Sequence, residues 1–121
     1  MANPNDITIL TNQSMASSFQ SAPILVIRNV AFSFQVTYTG SPVGTFSIQT
    51  SSDTAEMPQS TLPTNWSTLT PIAPSPASVP DNASPMMMPY NKGAQLPWNW
   101  IRLVYTASSG SGNCTVTYNG R

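Results

Sequence analysis

Hydrophobic and polar positions alternate most regularly from Ala31 to Thr39, where Phe32, Phe34, Val36 and Tyr38 take one side and Ser33, Gln35, Thr37 and Thr39 the other. A period of two is that of a strand with one buried face. Thr45 to Thr50 resumes the alternation with Phe46 and Ile48 inward, and the intervening Gly40-Ser41-Pro42-Val43-Gly44 has turn chemistry. The pattern therefore predicts a hairpin from Phe32 to Thr50. A second hairpin is predicted near the end of the chain. Trp100 to Tyr105 is mostly aromatic or aliphatic, Cys114, Val116 and Tyr118 share one face of the closing strand, and Gly110 and Gly112 lie in the loop between.

The remaining segments are shorter. Asp6 to Thr11 reads as a short strand with Ile7 and Ile9 on one face, and Asn12 to Ala22 as an extended connection. Residues 1–22 are accordingly expected to form an N-terminal arm on a single domain spanning 23–121. Ile24-Leu25-Val26-Ile27 is a continuous apolar run of the kind buried on both sides.

From Ser51 to Pro97 eight of the twelve prolines accumulate before the boundary residue Pro97 itself, which excludes central strands over most of that stretch. Its Trp66, Leu62, Leu69, Ile72 and Tyr90 are too apolar for a solvated linker, so 51–97 is expected to form long ordered loops with edge strands near Trp66–Leu69 and Met86–Tyr90. Met86, Met87 and Met88 read either as a gap-filling core patch or as an adaptable contact with another subunit. With no segment of helical period, the chain is expected to be all-β, an antiparallel two-sheet sandwich of jelly-roll type.

Charge changes the picture because there is so little of it. Charged residues are 7% of the chain and the formal net charge is zero, against about 25% charged in an ordinary domain. Four scattered basic residues make no stripe for nucleic acid and no cationic face for a membrane helix. Without net charge, little repulsion separates copies of the chain, so self-association is expected. The N-terminus lacks the basic start and apolar run of a secretion signal, which predicts a chain folded inside a cell.

Catalytic chemistry is correspondingly sparse. The absence of histidine removes the usual proton shuttle and the commonest metal ligand, and one cysteine with four acids matches no common zinc set. Asp53 and Glu56 are the only carboxylates close in sequence, and they read as solvated charges. No enzyme activity, cofactor or metal is expected. Cys114 reads as a buried, inert thiol. Arg102, mid-strand, needs a partner, and the expectation is a structural ion pair with Asp53, Asp81 or a carboxylate of a neighbouring subunit, or a cation–π stack on Trp100 or Trp98. Trp66, Trp98, Trp100 and Tyr90 would form a sugar-stacking platform if they shared an exposed face; otherwise they are core and interface aromatics.

The set formed by Gly40 to Ser51, then Asn65-Trp66-Ser67-Thr68-Leu69, then Trp100 to Gly112 with a closing strand to Asn119-Gly120-Arg121, resembles small β-sandwich structural proteins of tailed bacteriophage virions. The resemblance covers Phe32 to the end and is weakest in the proline-rich middle. It implies a virion structural protein, such domains serving as head decoration or cement proteins and as parts of tails or fibres. The first expectation is a cement protein on the capsid surface, assembled in the host cytoplasm, with the major capsid protein and copies of itself, as a homotrimer, for partners. Ile7, Ile9, Met86, Met87, Met88, Tyr90 and Trp98 are the candidate contacts. The alternatives are a tail, fibre or baseplate module that binds host glycans, and a carbohydrate-binding module.

Overall fold

A computed structural model describes residues 6–27, 29–54, 62–69, 77–79, 85–91 and 93–121. They form ten strands: β1 (Asp6–Ser14), β2 (Phe19–Gln20), β3 (Ile24–Leu25), β4 (Ala31–Gly40), β5 (Val43–Ser51), β6 (Ser67–Thr68), β7 (Ala77–Val79), β8 (Met86–Asn91), β9 (Trp100–Ser109) and β10 (Gly112–Gly120). The first sheet runs β1-β10-β4-β8; the second runs β2-β9-β5-β6, with β3 also on β9 and β7 also on β5. All pairings are antiparallel. Since β5 occupies one side of β9 along its length, β2 and β3 are two pieces of a single edge on the other side; β6 and β7 are likewise two pieces of the edge beyond β5.

With those pieces merged, four strands face four strands in jelly-roll order. β4 pairs with β10 in the first sheet, and their continuations β5 and β9 pair in the second. One antiparallel ribbon therefore folds over itself, and the two predicted hairpins do not exist. Each alternating pair is instead an arch that crosses from one sheet to the other. The two arches stack, with the Ser41 N–H donating to the Ser111 carbonyl at 3.0 Å and Gly40 pairing with Gly112. That stacking explains the glycines. Gly110 has φ +74°, and a Cβ on it would strike the Ser41 carbonyl oxygen; one on Gly112 would strike that of Thr39.

Inward faces follow the alternation. Phe32, Phe34 and Val36 of β4, Cys114, Val116 and Tyr118 of β10, Phe46 and Ile48 of β5, and Ile101, Leu103 and Tyr105 of β9 meet in one core. Met86 and Met88 of β8 join it, while Met87 points out. Aromatic edges and faces interlock there, with Phe46 and Tyr105 centroids 4.8 Å apart and Phe34 and Tyr118 5.6 Å apart. The Tyr105 hydroxyl is the one buried side-chain oxygen or nitrogen without a hydrogen-bond partner among the described residues.

The expected arm is corrected as well. From Asp6 onward it is part of the sandwich: β1 closes the first sheet against β10, Met15 is fully buried, and Phe19 packs on Phe46 and Tyr105. Ser21 bridges the gap between β2 and β3 through its backbone N–H to the Leu103 carbonyl (2.8 Å) and its hydroxyl, which accepts the Leu103 N–H (2.9 Å). Residues 1–5 lie outside the described residues. No helix among the described residues is long and apolar enough to cross a membrane.

Candidate functional site

The two outer faces of the sandwich differ in chemistry. On the first sheet the register sets side chains in rows across the strands. Thr8, Thr117, Gln35 and Met87 form one row spanning all four strands; Thr115 pairs with Thr37 and Asn113 with Thr39. These are the outward partners of the buried alternation, and none carries a charge. Met87, 49% exposed, is the large apolar group at the β8 side. A shallow depression beside it is lined by Gln35, Thr117, Asn119 and Arg121, and Arg121 is the cation bordering this face among the described residues. The two edges of this sheet are poorly suited to pairing with another strand. β1 carries irregularities between Thr8 and Leu10 and between Leu10 and Gln13, with Asn12 at φ 52°, and β8 carries Pro89.

The second sheet carries the few charged and indole groups that the described residues bring together. Asp53, just past β5, is the hub. Its carboxylate accepts the backbone N–H of Thr64 (2.7 Å), that of Asn65 (3.0 Å) and the Asn65 side-chain amide (3.0 Å). Its carbonyl accepts the Asn99 amide (2.9 Å) and the Trp100 indole N–H (3.2 Å). The Asn65 side chain first, then the backbone donors of Asn65 and Thr64, hold the Asp53 carboxyl below the ordinary value. The expectation of a freely solvated charge is thus corrected: Asp53 ties the end of β5 to the segment leading into β6. Glu56 lies outside the described residues.

That tie positions Trp66, and Trp66 receives Arg102. The guanidinium carbon lies 4.2 Å from the indole centroid, while Nε donates to Gln49 Oε1 at 2.7 Å. The expected stack on Trp100 or Trp98, and the expected ion pair with Asp53, are therefore corrected. Trp100 and Arg102 sit two apart on one strand and project in parallel, whereas Gln49 lies directly across the ladder and Trp66 precedes the neighbouring strand. Trp100 is buried, 3% exposed, beneath the Asp53 carbonyl. Asp81 lies outside the described residues. Sequence reasoning missed Trp66 as the partner because the contact depends on strand order, which alternation does not encode.

Trp66 and Trp98 line one open depression of about 690 Å³, together with Thr50, Ser52, Asp53 and Asn65 among others. Trp100 and Tyr90 are absent from its described lining. Tyr90 instead stacks on Phe32 (5.5 Å) and contacts Trp98 (5.6 Å), which continues the core aromatics outward. Of the candidate contacts, Ile7 is 54% exposed at the open edge of β1, Ile9 packs partly on the core, and Tyr90 and Trp98 are half-buried. Met86 and Met88 are buried, so in this state only Met87 of the three methionines presents itself to a partner. Burial pushes the Cys114 thiol up to about 11, which leaves it protonated and unreactive near neutrality. No cluster of three metal-ligating side chains occurs among the described residues. No protein-family model, no curated protein and no solved structure matches the chain.

Proposed function

We propose that this chain is a virion structural protein, a head decoration protein that docks on the capsid surface and bridges coat subunits. The observation that carries the reading is the outward face of the first sheet. Rows of threonine, asparagine and glutamine across β1, β10, β4 and β8, with Met87 at one side, offer many short hydrogen-bonding groups and little charge to desolvate, Asp6 at the start of β1 and Arg121 being the charged residues at its margin among the described residues. Burying such a face against protein costs little when each hydroxyl and amide finds a partner, whereas each unpaired charge would cost far more.

The bulged β1 edge and the proline in β8 favour docking through the face over strand addition at these edges. Jelly rolls recur in capsid and lectin domains, an analogy at the level of fold only. The near absence of charge across the chain also fits a protein that works as copies assembled on a symmetric lattice, a trimer in this reading. The test is sedimentation of purified protein with empty phage heads assembled without it, and in parallel with isolated tails. Saturable binding to heads at a fixed ratio to coat subunits is expected. Binding to tails alone, or to neither particle, overturns the proposal.

A further inference from the structure

The cavity at the end of the second sheet belongs to neither the core nor the uncharged face, and its lining has a chemistry of its own. Trp66 and Trp98 share it with the short polar residues Thr50, Ser52, Asn65 and Asp53. We propose that it is a binding site for a neutral saccharide.

A pyranose presents an apolar C–H face and a rim of hydroxyls that both donate and accept. It therefore needs an aromatic surface beside short polar side chains of both hydrogen-bonding senses. Residues of those kinds are gathered here, in an open depression of about 690 Å³ that a sugar could lie against. The site is also braced in advance. Asp53 fixes Thr64 and Asn65 through three accepted hydrogen bonds, and Arg102 holds Trp66 from one side of its ring. A sugar stacking on Trp66 takes the opposite side of that ring.

Preorganisation of this kind lowers the ordering cost of binding. The Asp53 carboxylate repels acidic sugars, so the ligand is neutral. This inference stands independently of the capsid reading, because the saccharide site and the uncharged face lie on different sheets.

The experiment is an array of neutral and acidic oligosaccharides probed with the full chain, followed by titration of the best neutral glycan read by tryptophan fluorescence and calorimetry. At least one neutral glycan is expected to bind. Trp66→Ala and Trp98→Ala should each weaken it by about tenfold, the scale of losing one aromatic platform. Trp66→Phe should keep most of the affinity, which separates a lost platform from a lost fold. Met87→Ala, on the other sheet, should leave binding unchanged. Absence of neutral glycan binding, binding confined to acidic sugars, or affinity indifferent to both tryptophan substitutions overturns the site.

Discussion

The two outer faces of this sandwich hang on one core, yet one is uniform and the other is specialised. Across the first sheet, threonine, asparagine and glutamine repeat row after row, and charge stays at the margin, with Asp6 at the start of β1 and Arg121 beside Asn119. The second gathers Arg102, Trp66, Gln49 and, at its end, Asp53 into one connected arrangement. A repeated polar face has no single residue on which recognition depends, so it suits broad docking against protein. A braced cavity suits one small ligand. Among the described residues, strand order brings Arg102 onto Trp66 and Gln49, and Asp53 onto Thr64 and Asn65, on the second sheet alone.

The largest effect expected is one that removes both faces at once. Gly110→Ala must place a Cβ against the Ser41 carbonyl at a positive φ, and the arches it would disturb join the two sheets. A cost of about 3 kcal/mol is expected in chemical denaturation. Loss near zero would mean that the arches do not hold the faces together. A smaller change of opposite sign is expected inside the shared core. Tyr105→Phe removes a buried hydroxyl that has no partner among the described residues and should stabilise the fold by about 1 kcal/mol. A clear destabilisation would reveal a partner for that hydroxyl.

Two substitutions then set the faces against each other. Trp66→Ala, which strips the stack on Arg102, should cost about 1 kcal/mol, whereas Thr37→Ala on the uniform face should stay within about 0.5 kcal/mol. Equal costs would erase the distinction in organisation. Acid should separate the faces as well. The Asp53 carboxyl is held below the ordinary 3.8 by its hydrogen bonds, so its contribution is present above that value and fades as pH falls through the lowered one. Tryptophan fluorescence should therefore report a local change on the second sheet below pH 3.8, and Asp53→Asn should abolish that step. An unchanged step in the variant would assign it to another group.

What could be read in the sequence was orientation; what could not was partnership. Alternation at Phe32, Phe34 and Val36, at Phe46 and Ile48, and at Cys114, Val116 and Tyr118 named the inward side chains correctly. The reading of Met86, Met87 and Met88 as one patch is divided by β8, which buries Met86 and Met88 and exposes Met87. Alternation is silent, however, on whether a strand after a glycine turn pairs with its predecessor or crosses to the other sheet, since both choices bury the same residues. The hairpins became arches for that reason. Paired glycines in both connections, Gly40 with Gly112 and Gly110 against Ser41, were the available signal, because two turns that must touch each exclude a Cβ. The expected arm failed similarly: Ile7, Ile9 and Leu10 had no visible partner until β10 was placed beside them. A mid-strand arginine such as Arg102 signals that it needs a partner, but Trp66 lies distant in sequence and is brought near only by the order β9-β5-β6.

In the proposed function the uniform face of the first sheet is the one that meets protein. Its most direct measurement is head decoration by two charge-insertion variants: Thr37→Lys, exposed on the first sheet, and Thr106→Lys, exposed on the second. Both should fold, since both positions point to solvent. Thr37→Lys should lose co-sedimentation with empty heads because it buries an unpaired ammonium group in the contact, while Thr106→Lys should decorate heads as the parent chain does. Decoration retained by Thr37→Lys and lost by Thr106→Lys would contradict the account.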